Sequence, residues 1–241
     1  MKKLVLKTAL ITAGALVILF GIFCVVNLIF FPKSVANFFY SAGNYNASVK
    51  FYQKNYEKTK AYEDLDLLCV KLDTAYFYDS SNYDKVVSYY ELRYNAKKTD
   101  ENLYQLCVKL DADNHSAKTE EYTNMLMKLD NFHEFCAQKD SATDTMTTEE
   151  FIEGKHIVAS LKNGEDFNLV LENALELVRD ESGYTLFNPF KMLYTAQGLE
   201  LSSQQLNSIK QAIASNFLRY NSEEQVLAGN DISAIDQLIN A

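Results

Sequence analysis

Two prolines and eight glycines are all that this chain carries in 241 residues. So few breakers exclude the turn-dense pattern of sandwiches and barrels and favour long helices. Acid is missing from the first 56 residues, which hold six lysines and no counter-charge before Glu57. Histidine is scarce, with three in total, at 115, 133 and 156. No glycine-rich phosphate loop, serine nucleophile elbow or paired Cys-His arrangement with metal spacing is present. These absences leave no catalytic residue, no cofactor and no metal ligand to assign. Apolar residues are not lacking: at 48% they suffice for a core and argue against disorder.

Thr8 to Phe31 reads TALITAGALVILFGIFCVVNLIFF, 24 residues without a charge. As a helix it would reach about 36 Å, against a hydrocarbon core of roughly 30 Å. The competing reading is a cleaved signal peptide, since Lys2, Lys3 and Lys7 make a basic start and Ser34-Val35-Ala36 resembles a small-x-small cleavage site. A secreted binder would then begin at Asn37. A signal's apolar region is only about 7–15 residues, so retention as an anchor is the expectation. Cys24 follows bulky Phe23 deep in the apolar run, which suits a lipid-facing or packed thiol rather than a lipoprotein site. Three lysines precede the span, and the twenty residues after it hold only Lys33 and Lys50. That bias points the N-terminus into the cytoplasm and the rest outside. Phe30, Phe31, Phe38, Phe39 and Tyr40 suit an interfacial aromatic belt where the helix would leave the bilayer.

From residue 57 onward 32 acids face 17 bases. Such an acidic body argues against nucleic acid as a partner, although most of the acids simply keep helix surfaces soluble. The membrane-proximal part, by contrast, can sit against anionic headgroups.

LCVKLD occurs at Leu68–Asp73 and again at Leu106–Asp111, 38 residues apart. Gly43–Asp73 aligns without a gap onto Ser81–Asp111. Tyr45, Val49, Tyr52 and Tyr56 correspond to Tyr83, Val87, Tyr90 and Tyr94, spaced as one helical face. Leu65, Leu68, Cys69 and Leu72 likewise correspond to Leu103, Leu106, Cys107 and Leu110. Each copy is therefore two amphipathic helices, and a lone hairpin cannot bury both stripes without a neighbour. LMKLD (Leu126–Asp130) reads as a degraded third copy.

Gly43-x-Tyr45-x-x-Ser48-x-x-x-Tyr52 and Asn82-Tyr83-x-x-Val86-x-x-x-Tyr90 resemble the tetratricopeptide repeat, over roughly residues 33–130. The copy is 38 rather than 34 residues long, Lys60 and Lys98 replace the family's closing proline, and Asn55 and Arg93 replace its second-helix alanine. The resemblance implies a binding scaffold without catalytic residues of its own.

Beyond polar Ser141–Glu150, capping boxes are expected at Thr147-x-x-Glu150, Ser202-x-x-Gln205 and Ser222-x-x-Gln225, and Asn188-Pro189 fits a cap with proline at the first helical position. Leu206, Ile209, Ile213 and Phe217 form one stripe; Ile232, Ile235 and Leu238 form another. Phe167–Val178, apolar on more than one face, is expected at the centre of a small bundle.

The expected fold is all-α: a transmembrane helix, then stacked antiparallel hairpins in a TPR-like α-solenoid, then a C-terminal helical bundle. The expected segments are 1–32 (cytoplasmic N-terminus and anchor), 33–140 (repeats), 141–150 (linker) and 151–241 (a bundle or drifted repeats).

Glu153-x-x-His156 has the spacing of carboxylate di-metal bundles, but one pair is not a site. It marks where an active site would lie if the protein were a membrane-bound enzyme. His133-x-x-Cys136 is expected to be a surface histidine beside a buried thiol. Cys69 and Cys107 should be free: equivalent positions in stacked hairpins lie about 8–10 Å apart, too far for a disulfide's roughly 7 Å. Thirteen of the sixteen tyrosines fall between Tyr40 and Tyr122. Those off the buried stripes, Tyr62, Tyr76, Tyr78, Tyr89 and Tyr104, are the candidates for partner contact, since rigid aromatic area binds at low entropy cost. The sequons at Asn46 and Asn114 matter only in a glycosylating host. The expected function is a single-pass, extracytoplasmic scaffold, held in membrane lipid through residues 8–31, that recruits a protein or peptide partner.

Overall fold

The computed structural model describes residues 16–19, 21, 22, 26, 29–140, 147–180, 184 and 188–241. Among these, every regular element is helical. No helix of the described residues is long and apolar enough to cross a membrane. The expected span over residues 8–31 lies mostly outside them. Two compact units divide between Lys98 and Thr99. That boundary cuts the second sequence copy between its two helices. The stretch expected as a linker, 141–150, falls within the second unit; residues 141–146 lie outside the described ones, and the helix that follows packs on helices that precede it.

In the N-terminal unit four helices pack each on the next: α1 (Pro32–Ser41), α2 (Tyr45–Thr59), α3 (Tyr62–Tyr78) and α4 (Tyr83–Ala96). Pro32 sits in the first turn of α1, where its missing N–H is no loss. Gly43, at φ 74, turns the chain out of α1, and the Asn44 side chain accepts from the Ala47 N–H to start α2. Lys60 ends α2 in the left-handed region at φ 53, a position that glycine usually fills. Two residues later α3 begins, so α2 and α3 are a tight antiparallel hairpin. Glu63 and Asp64 in the first turn of α3 suit the positive end of its dipole.

The stripes read from the sequence are the buried faces: Val49, Tyr52, Leu65, Leu68, Cys69, Leu72, Val87, Tyr90 and Tyr94 are all buried, whereas Tyr45 and Tyr56 are only partly so. Ser48 sits where α1 and α2 approach closely, and its hydroxyl donates to the Ala36 carbonyl at 2.9 Å. Truncating fully buried Leu68 to alanine would cost about 2–5 kcal/mol.

In the C-terminal unit, α5 (Asp100–Lys109) and α6 (Ala112–Met127, broken at His115) form a second hairpin. Short α7 (Phe132–Ala137) follows. Then come α8 (Thr148–Lys162), α9 (Phe167–Asp180), α10 (Pro189–Thr195), α11 (Ser203–Asn216) and α12 (Ser222–Ile239).

The central helix here is α8, which packs against α6, α7, α9 and α10. That corrects the expectation for Phe167–Val178. Among the residues of α9 whose burial is described, only Val170, Ala174 and Val178 are buried; Asn168, Leu169, Glu172, Asn173 and Glu176 face solvent, so α9 is an ordinary amphipathic helix. Gly154 on α8 makes room for α10, since a Cβ there would run into the flexible end of Met192.

Capping boxes form at Thr147/Glu150 and at Ser202/Gln205, and Asn188 caps α10 ahead of Pro189. The third box is shifted by one residue: Asn221 and Glu224 make it, and Gln225 instead donates to the Phe217 and Tyr220 carbonyls. Leu206, Ile209 and Ile213 are buried on α11. On α12 the buried line runs Ala228, Asp231 and Ile235, while Leu238 is exposed.

Candidate protein-interaction surfaces

The five candidate tyrosines do not form one site. Four lie in the N-terminal unit, and Tyr104 lies in the other. Tyr76 and Tyr78 occupy the last turn of α3, beside the first residues of α2 and α4. There Phe77 is 82% exposed and Tyr78 65%. The Tyr78 ring stacks on Tyr45 with centroids 4.7 Å apart and planes 13° from parallel. Tyr76 lies 5.8 Å from the Tyr83 ring.

A cavity of about 300 Å³ opens beside the stack, lined by Ala42, Gly43, Asn44, Tyr45, Asn46, Ala75, Tyr78 and Asp79. Its polar wall is held rigidly. The Asn46 side-chain amide donates to Asp79 at 2.8 Å, and Asn82 donates to Asn46 at 2.8 Å. Hydrogen bonds from Ser81 and Asn46 hold the Asp79 carboxyl below its ordinary range. The amide nitrogen of the first sequon is thus engaged, and that of Asn114 donates to Asp111 at 2.9 Å.

Tyr62 and Tyr89 are partly buried. Tyr62 lines a second cavity, of about 430 Å³, with Tyr56, Lys60, Glu63, Leu65, Ala96 and Lys97. The Lys97 ammonium lies 5.5 Å from the Tyr62 ring and that of Lys60 lies 5.2 Å from Tyr56. Burial pushes the Tyr89 hydroxyl up. Tyr104 meets Phe135 edge to face at 5.8 Å, and Lys139 lies over both rings.

In the C-terminal unit Glu153 and His156 line a cavity of about 380 Å³ with Met127, Ile157, Asn173, Glu176 and Leu177. His156 Nδ1 is 3.1 Å from the Thr123 hydroxyl, and burial pulls the imidazole below its usual range, so it is neutral at pH 7. No cluster of three or more His, Cys, Asp or Glu among the described residues could hold a metal ion. His133 is exposed above buried Cys136. Cys69, Cys107 and Cys136 are free and buried, and desolvation pushes each thiol up to about 12.

Two polar centres were not visible in the sequence. Lys155, nearly buried on α8, donates to the carbonyls of Cys107 and Val108 in the last turn of α5 at 3.0 and 2.9 Å and to that of Leu110 just past it at 2.6 Å. Asp231, buried on α12, accepts from Tyr184 at 2.8 Å, Asn188 at 2.9 Å and Tyr194 at 2.7 Å. Burial raises both tyrosine hydroxyls, which stay protonated as donors. An acid at the apolar spacing 228, 231, 235 was the one available signal for this network. With its acceptor satisfied by three neutral donors, Asp231 ties α10 and α12 together.

No protein-family model matches the sequence, and no curated protein matches it. Among solved structures the chain is similar to yeast Tom70, with a TM-score of 0.32 and 12% identity over 86% of this chain and 47% of Tom70. The chain spans about half the length of that structure. A likeness this distant carries no argument about function, and the hairpin fold rests on the helices themselves.

Proposed function

We propose that the protein is a membrane-anchored helical-repeat scaffold whose hairpins recruit a protein or peptide partner on the extracytoplasmic side. The observation that carries the binding role is the exposed aromatic end of α3, where Tyr76, Phe77 and Tyr78 cluster beside Tyr45 and a cavity with a fixed polar wall. Large rigid aromatics at a surface lose little entropy on binding and are over-represented where partners dock.

The anchor and its orientation rest on the 24-residue uncharged run and on the lysines that precede it. Confinement to the membrane would raise the scaffold's effective concentration for other envelope proteins. A photo-crosslinking residue at Phe77, introduced into the intact chain in its own membrane, tests the reading. A discrete adduct that disappears in a Tyr45→Ala/Tyr78→Ala background is the expected result. Lipid adducts alone, or adducts unchanged by that pair, would remove the aromatic end of α3 from the function.

A further inference from the structure

We infer that the first two helices of the N-terminal unit lie on an anionic bilayer surface through the outer faces of α1 and α2. The inference rests on the membrane anchoring proposed above and adds a lipid-headgroup site to it. Ser34 and Phe38 fall on one exposed face of α1, with Phe38 69% exposed, and Phe30 and Phe31, just before the helix, are 58% and 54% exposed. On α2, Phe51, Lys54 and Lys58 take the same spacing on the face away from the buried stripe of Val49 and Tyr52.

The two faces join into one strip. The Phe39 ring stacks on Phe51 at 5.5 Å with planes 7° apart, and Phe38 packs edge-on against Phe39 at 5.6 Å. The Lys54 ammonium lies 5.1 Å from the Phe51 ring. The Lys58 ammonium donates to the Phe30 carbonyl at 3.1 Å and stays 5.8 Å from the Phe30 ring. Lys33, half exposed, adds a further cation and is paired with Asp64 at 3.2 Å.

Two features select a membrane over a protein partner. Phe30 and Phe31 are the last residues of the uncharged run itself, so the strip begins where that run ends. Charge also points to an anionic plane. No acid precedes Glu57, whereas the remainder of the chain is strongly acidic and would be repelled by the same surface. Aromatic rings at headgroup depth with lysines reaching phosphates between them are what an interface of that kind accommodates.

The chain contains no tryptophan, so Phe38→Trp gives a single indole at the middle of the strip. The full-length variant is reconstituted into phosphatidylcholine vesicles with and without phosphatidylglycerol, and with acyl chains brominated close to the headgroup. Flotation of the chain is read together with emission, bromine quenching and quenching by aqueous acrylamide. The expected result is a blue-shifted indole quenched by brominated lipid in the anionic vesicles. Adding Lys54→Glu and Lys58→Glu should lower that quenching about twofold or more while far-UV circular dichroism stays unchanged.

A chain that floats while its indole remains open to acrylamide and blind to bromine overturns the inference and leaves the anchor standing. An indole shielded from acrylamide yet untouched by bromine overturns it in favour of a covering protein chain. Failure to float removes the anchor and the inference together.

Discussion

The two copies of Leu-Cys-Val-Lys-Leu-Asp meet different ends. In the first copy all six residues are interior to α3, a helix of 17 residues. In the second, α5 stops after 10 residues at Lys109, Leu110 is extended at φ −65 and ψ 140, and Asp111 is already the cap of α6. Until that point the copies agree, with Leu68, Leu106, Cys69 and Cys107 all wholly buried.

What differs is the receiver of the last carbonyls. In α3 the helical ladder runs on to Tyr78, so the amides of Asp73, Thr74 and Tyr76 take up the equivalent carbonyls of Cys69, Val70 and Leu72. At the end of α5 the Lys155 ammonium, delivered from α8, donates instead to the carbonyls of Cys107, Val108 and the capping residue Leu110. The terminal aspartates diverge accordingly: Asp73 accepts from the Tyr90 hydroxyl at 2.6 Å, and Asp111 accepts from the Asp113 N–H at 2.9 Å. A helix terminus is thus fixed as much by a distant donor as by the residues that precede it.

The largest expected break in this comparison is Lys155→Met. Methionine keeps the apolar stem but leaves the Cys107 and Val108 carbonyls of α5 and the Leu110 carbonyl at its cap without their charged donor, at a cost of about 3 kcal/mol. Hydrogen exchange should quicken sharply at the amides of α5 and α6 and hardly at all in α3. Equal acceleration in α3 and α5, or none in either, would show that Lys155 does not set the difference.

Next in size is a pH effect that should be the same in both copies. Burial holds the Cys69 and Cys107 thiols up at about 12, from an ordinary 9. Between those values the unfolded chain loses each proton while the folded chain keeps it. Stability is therefore whole below pH 9 and falls as pH rises across the window, by about 1.4 kcal/mol per pH unit for each thiol. Urea unfolding followed from pH 8.5 to 10.5 should show that slope reduced by one thiol's share in Cys69→Ala and by an equal share in Cys107→Ala. A slope altered by only one substitution would mean that the copies differ in their interiors as well as in their ends.

Features legible in the sequence were those whose causes lie within about four residues. The stripes of both hairpins, the Thr147 and Ser202 capping boxes and the Asn188-Pro189 start all depend on spacing that one helix turn can express. Asn221 displaced Ser222 as a cap because an adjacent residue offered the same chemistry one step earlier. Phe167–Val178 is apolar on more than one face in sequence, but the acids and asparagines of α9 occupy the solvent side, and α8, with Gly154 admitting α10, takes the middle.

Lys155 and Asp231 were invisible for a different reason. Each is an ordinary charged residue on an amphipathic helix until partners up to 48 residues away are placed around it. Of the tyrosine candidates, Tyr76 and Tyr78 stand out by their exposure beside Phe77 at the end of α3, which helical spacing alone does not express.

The smallest expected effect sharpens the comparison at the two aspartates. Tyr90→Phe removes the donor to Asp73 from the interior of the N-terminal unit, where burial and that carboxylate hold the hydroxyl well above its ordinary range, and should cost about 1 kcal/mol. Asp111→Ala removes the cap of α6 and should cost a similar amount by a different route, the orphaned Asp113 N–H. In a double-mutant cycle, Asp73→Ala and Tyr90→Phe should couple by about 0.5 kcal/mol or more, because each destroys the same hydrogen bond. Asp111→Ala and Tyr90→Phe should add. Coupling of Tyr90 to Asp111 equal to its coupling to Asp73 would mean that the duplicated aspartates still share one job, and that the divergence seen at the end of α5 stops short of their side chains.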